Sequence, residues 1–185
     1  MVNKVGILAL QGNFQQHVKV LNSIGATPVD VRYPVDLERC HALIIPGGES
    51  TTMSKQIDRN GFRKPLIEFS KIKPIMGTCA GMIMLSKLNK TQNMSPLKIM
   101  DISVERNAWG TQIHSFSDDI SLEFDKDKFK AVFIRAPKIS NFGKNIKILA
   151  KYKNDPIMIT DGRHIACSFH PEIGGDNRVH KYFIN

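Results

Sequence analysis

Two kinds of hydrophobic pattern divide the chain. In the first half, solid apolar blocks alternate with stretches of helical period. Val5-Gly6-Ile7-Leu8-Ala9-Leu10 is a continuous apolar run, as expected of a strand buried on both faces. Gln11-Gly12-Asn13 breaks it, and Phe14, Val18, Leu21 and Ile24 recur at helical spacing until Gly25, which predicts a helix and its stop. A second strand is predicted over Thr27 to Arg32, then a polar link with a helical turn over Asp36 to Arg39. A third strand, His41 to Ile45, ends at Pro46-Gly47-Gly48. A polar helix (Ser50 to Asn60) and a shorter one (Lys64 to Ser70) follow. Ile75 and Met76 then form a short buried strand after a proline, and Met82 to Leu85 resume as a helix.

Beyond Leu88 the character changes. Asn89 to Ser95 reads as a polar loop. Val104, Ile113, Phe116, Ile120, Leu122 and Phe124 fall in short alternating pieces. Residues 131–134, 146–150, 156–159 and 165–169 continue that style. Strands alternating with helices predict an α/β fold with a mainly parallel sheet covered on both faces. The second half predicts an antiparallel or mixed extension, with the last strand returning to the middle of the sheet. Ligands of such sheets sit outside the carboxyl ends of the strands. Gln11-Gly12, Pro46-Gly47-Gly48-Glu49 and Cys79 all fall there.

Composition changes this picture little. The 185 residues, 42% hydrophobic and 23% charged, suit one globular domain spanning 1–185. The net charge of +9 raises the possibility of nucleic acid. The basic residues are dispersed, however, and no aromatic–basic RNA signature is present. No apolar run approaches the ~20 residues of a membrane helix, and the N-terminus lacks the pattern of a secretory leader. Cys40, Cys79 and Cys167 form neither a disulfide framework nor a C-x-x-C pair. A reduced, cytoplasmic protein without membrane or nucleic-acid partners is expected.

The chemistry concentrates at Gly77-Thr78-Cys79-Ala80-Gly81. A strand that turns sharply into a helix exposes one side chain at its apex, and small neighbours leave room for substrate. Helix N–H groups and dipole would draw the thiol below its free pKa of about 8.5. A small buried hydrophobe is the alternative for a lone cysteine, and the local pattern leaves both open. A nucleophile needs a base and an orienter. His170 and Glu172 in Ser168-Phe169-His170-Pro171-Glu172 offer both, two apart and on one face if extended. Gly48 and Ala80 are candidate backbone donors to an oxyanion. Arg106 and Arg135 are set among apolar or small residues, where a guanidinium needs an anion. A substrate carboxylate or an internal salt bridge would serve equally. His17, His41, His114, His164 and His180 show no metal-ligand spacing and read as surface or core histidines.

Taken in order, Pro46-Gly47-Gly48-Glu49-Ser50-Thr51, Gly77-Thr78-Cys79-Ala80-Gly81 and Phe169-His170-Pro171-Glu172 resemble the class I glutamine amidotransferases. Leu8-Ala9-Leu10-Gln11-Gly12, Arg106-Asn107-Ala108-Trp109-Gly110 and Phe133-Ile134-Arg135-Ala136-Pro137 resemble one branch of that class, the glutaminase subunits of pyridoxal 5′-phosphate synthase. The likeness runs from residue 5 to about residue 183. It implies a flavodoxin-like three-layer sandwich, with helices on both faces of a mainly parallel sheet and a small antiparallel extension. It implies Cys79 as nucleophile, His170 as base and acid, and Glu172 as orienter. Gly47, Gly48, Glu49, Arg106, Ile134 and Arg135 would bind L-glutamine, and Gly48 and Ala80 would form the oxyanion hole. The resemblance further implies ammonia passed to a separate synthase subunit within a large double-ring complex, with no metal and no bound cofactor. Departures from the branch are Thr111 in place of arginine, Ile173-Gly174 in place of leucine-threonine, Gln16 in place of glutamate, and a chain that stops at Asn185. They bear on the partner interface and the last helix.

Overall fold

The computed structural model describes residues 4–89, 94–106 and 115–185. Its centre is a seven-stranded sheet. The first half supplies β1 (Lys4–Leu8), β2 (Thr27–Val31), β3 (Ala42–Ile45) and β4 (Ile75–Thr78). The second half adds β10 (Lys147–Tyr152), β11 (Asp155–Thr160) and β12 (Ile165–Cys167). The order is β10-β11-β12-β4-β3-β1-β2. The five strands from β12 to β2 pair in parallel, whereas β10 and β11 are antiparallel additions at one edge. The last strand therefore does return to the middle, beside β4.

The solid apolar blocks are solid because both faces are buried. In β3 all four residues are buried, and they alternate between two cores: Leu43 and Ile45 face one, Ala42 and Ile44 the other. The first core is closed by α2 (Ser50–Arg59), α3 (Arg63–Ser70) and α4 (Ala80–Leu85), through Met53, Ile57, Leu66 and Met82. The second is closed by α1 (Phe14–Ser23) and α5 (Arg178–Ile184), through Leu21, Val179 and Phe183. Between β2 and β3 the polar link forms a 3-10 turn, Pro34–Arg39.

The remaining strands do not extend the central sheet. β5 (Ser86–Asn89), β6 (Met100–Glu105) and β9 (Lys138–Phe142) make a small sheet over the first core. β7 (Ser115–Ile120) and β8 (Phe129–Ile134) pair as an antiparallel ribbon, with Phe129 and Phe133 in the second core. The reason is polarity. β7 (SFSDDI) buries only Ile120 fully, so it cannot occupy a site apolar on both faces. No helix among the described residues is long and apolar enough to cross a membrane.

Candidate active site

Four strand ends meet along one edge. β12, β4, β3 and β1 are neighbours and run parallel. The segments leaving their carboxyl ends, which carry His170, Cys79, Gly47 and Gln11, therefore lie side by side.

Cys79 occupies the turn from β4 into α4, with φ 51° and ψ −106°. A residue with a side chain held at positive φ carries strain of about 1–3 kcal/mol, and packing around it must hold it there. Its N–H donates to Cys167 O at 2.8 Å, which fastens the turn to β12. Gly81 brings α4 close to β3: a Cβ on it would lie 1.9 Å from Ile45 O. The glycine thus serves close packing rather than an unusual backbone angle. Cys79 is 8% exposed, and its Sγ lies 3.8 Å from Ile134 O.

His170 and Glu172 follow β12 in a turn in which the Ile173 N–H donates to His170 O at 3.2 Å. The extended geometry expected from the H-x-E spacing is not what brings them together; Pro171 bends the chain and the turn does. His170 Nδ1 lies 2.6 Å from Glu172 Oε1. With Nδ1 on the carboxylate, Nε2 is the nitrogen left for the neighbouring Cys79 sulfur. Burial opposes a charge on this ring, but its interactions with Cys79 and Glu172 outweigh it and push the imidazole up to about 10. Burial likewise opposes charge on Glu172, yet the His170 hydrogen bond and the neighbouring imidazoles hold its carboxyl below the usual range.

Gly47 lies against both groups. A Cβ there would fall 2.5 Å from His170 Cε1 and 3.4 Å from Cys79 Cβ. Its carbonyl accepts from the Asn13 N–H at 3.2 Å. Because the peptide is trans, the Gly48 N–H points away from that bond. Gln11 Nε2 donates to Glu49 O at 2.7 Å. The turns after β1 and β3 are thus tied together.

Glu49 caps α2, accepting from the Thr51 N–H at 3.0 Å and the Thr52 N–H at 2.6 Å. Burial would raise this carboxyl, but those hydrogen bonds hold it down to about 2. Arg106 donates to Glu49 Oε1 and to Thr51 Oγ1, each at 3.1 Å. The salt-bridge alternative therefore holds at Arg106, and the bridge lies at the site rather than away from it. Ile134 is 38% exposed. Arg135 departs from expectation: it is exposed, not buried beside a strand. It comes directly after β8 with φ 44°, where the backbone leaves the ribbon and carries the side chain into solvent. Residues 107–111, including Trp109 and Thr111, and His114 lie outside the described residues.

One group was missed from sequence. His17, read there as an ordinary histidine, is fully buried beneath Glu172. The signal was present: position 17 falls in the Phe14, Val18, Leu21 stripe of α1, where a buried polar side chain needs a partner. Among the described residues no three His, Cys, Asp or Glu side chains are grouped to hold a metal ion.

A thiol backed by a buried imidazole–carboxylate pair, set on the carboxyl edge of a doubly wound sheet, defines a class: the class I glutamine amidotransferases. Comparison with known proteins carries this further. The SNO glutamine amidotransferase family matches residues 7–185, and the chain belongs to that family. Among similar proteins is "Pyridoxal 5'-phosphate synthase subunit PdxT" of Pelotomaculum thermopropionicum, 46% identical over 183 residues, covering 98% of this chain and 93% of that one. The protein of the same name from Thermotoga maritima is 42% identical, with 98% and 97% covered. A crystal structure of a glutamine amidotransferase superposes with a TM-score of 0.90 at 38% identity, covering 97% of this chain and 96% of that one.

Proposed function

We propose that this chain is the glutaminase subunit of a pyridoxal 5′-phosphate synthase, acting as one domain through Cys79, His170 and Glu172. The observation that carries the reading is the 2.6 Å His170–Glu172 pair, packed with Cys79 around Gly47. Cys79 Sγ, its proton passed to His170, attacks the side-chain carbonyl carbon of L-glutamine. The tetrahedral oxyanion is met by the Ala80 N–H and the Gly48 N–H. His170, which carries its proton at neutral pH, gives it to the departing nitrogen, and ammonia leaves a glutamyl thioester. His170 then takes a proton from water, which attacks the thioester and returns glutamate and the free thiol. Gly47, Gly48, Glu49, Arg106, Ile134 and Arg135 bind the substrate. The Glu49–Arg106 pair sets the wall of that site, and exposed Arg135 offers its guanidinium to the substrate carboxylate.

Ammonia is delivered to a partner synthase subunit that builds the cofactor, in a large hetero-oligomeric assembly of the cytoplasm. Docking also governs the site. The Gly47 carbonyl is held by the Asn13 N–H, and reorienting the Gly48 N–H breaks that bond, so the partner sets the oxyanion donor. Glutamate release measured with and without the synthase subunit tests this: equal rates would remove the docking step from the reading. Cys79→Ala is expected to abolish release while leaving the melting temperature within a few degrees. A glutamine-like diazo-ketone, followed by mass spectrometry, should modify Cys79 and spare Cys167, whose thiol burial pushes well up. An active Cys79→Ala protein would overturn the reading.

A further inference from the structure

The buried polar groups beneath the candidate site extend past it. His17 Nε2 lies 3.5 Å from Glu172 Oε2 and 3.4 Å from Thr78 Oγ1. His17 Nδ1 lies 2.9 Å from His180 Nε2, a contact that joins α1 to α5. Both imidazoles are fully buried. Glu172 Oε2 and His180 Nδ1 are buried with no hydrogen-bond partner. His17 Nε2 is thus the polar atom facing the second carboxylate oxygen. No step of the reaction above uses it.

Charge decides where the protons sit. An ionised carboxylate can only accept. A bare Nε2 lone pair set against Oε2 would repel it, so the proton belongs on Nε2. Burial, opposed by Glu172, drives His17 down to about 4. The ring is therefore neutral, and its Nδ1 is bare. Nδ1 then accepts from the His180 Nε2–H. His180 keeps a bare Nδ1, and an unmet acceptor is tolerated in a core better than an unmet N–H. Every proton in the row His180, His17, Glu172 points toward the carboxylate. From the other side, His170 donates to Oε1.

We propose that His17 is a positioning residue for glutamine hydrolysis: its Nε2–H faces the otherwise unpartnered Oε2 and steadies the ionised Glu172 electrostatically, which keeps Oε1 on His170, and His180 locks the tautomer that makes this possible. The inference rests on the Cys79, His170 and Glu172 reading given above. The groups facing His17 are Glu172, His170, His180 and Thr78, while Cys167 faces Glu172 from β12. Without His17 a buried carboxylate oxygen loses its facing donor. Glu172 then binds a proton more readily and turns away from productive geometry.

The test has three arms. In the unaltered chain, nitrogen-15 imidazole NMR should show His17 protonated at Nε2 and bare at Nδ1; the opposite tautomer overturns the proposal. In glutamate-release assays with the synthase subunit, His17→Leu should lower kcat about tenfold or more with KM nearly unchanged. Its acid limb should move up by about one pH unit. His17→Gln restores a donor amide and should return both toward wild type. A merely structural role predicts instead that both variants lose stability while the acid limb stays in place, and that result overturns the proposal. Should His17→Leu fail to fold, the tautomer and the His17→Gln profile decide. Cys79→Ala, assayed alongside, separates the two levels. If it is active, the triad reading itself fails. If it is inactive while His17→Leu matches wild type, only the role of His17 falls.

Discussion

Gly47 shows how much one missing methyl group decides. The position a Cβ would take lies 2.5 Å from His170 Cε1, and that ring cannot retreat freely because Glu172 holds its Nδ1 at 2.6 Å. Gly47→Ala should therefore displace the imidazole and lower kcat about a hundredfold, the scale expected of a misplacement near 1 Å. Glutamate-release kinetics, with circular dichroism to verify folding, check this. The glycine-rich turn was visible in the sequence, but its reason was not. Two glycines ending a strand suggest a tight turn. Only the approach of a histidine more than a hundred residues away shows that the space is taken.

At the scale of elements, the site is a set of strand ends stitched to one another. The turn after β1 holds the turn after β3 through Gln11 and Asn13. β12 holds the Cys79 turn through a backbone bond. α2 begins on a Glu49 cap that also pairs with Arg106. Glu49→Ala should therefore do two things. It should lose about 1 kcal/mol of stability, as expected for a helix cap, and it should raise the KM for glutamine by releasing Arg106. Urea melts and saturation curves separate the two effects. A loss of stability with KM unchanged would place Arg106 outside the glutamine site.

For the whole molecule, the buried imidazoles set how stability responds to pH. His17 and His180 are driven by burial down to about 4 and about 3, from an ordinary value of 6.5. Below 6.5 the unfolded chain binds protons that the native state refuses. Stability therefore falls as the solution is acidified, by up to about 1.4 kcal/mol per pH unit for each ring. Glu172, held low, acts in the same direction: its contribution is present above the unfolded carboxyl value and is lost as pH drops through the folded one. His170 acts oppositely. Raised to about 10, it contributes fully below 6.5 and loses that contribution as pH rises through its folded value. Urea midpoints should peak near neutral pH and fall on both sides. Midpoints flat from about pH 7 to about pH 5 would mean that the two buried rings are not held neutral.

What the chain determined by itself was local and periodic. Continuous apolar blocks specified strands covered on both faces, helical spacing specified α1, and the cysteine among small residues admitted an elbow alongside a simple buried thiol. These signals come from neighbours in sequence and need no distant partner. The tertiary structure decided what depends on distance. It placed β12 beside β4 and bent His170 and Glu172 together through a turn rather than an extended step. It set Arg106 on Glu49 and left Arg135 in solvent. It also buried His17 under the carboxylate, because a polar side chain in an apolar stripe takes its meaning from whatever the fold packs against it.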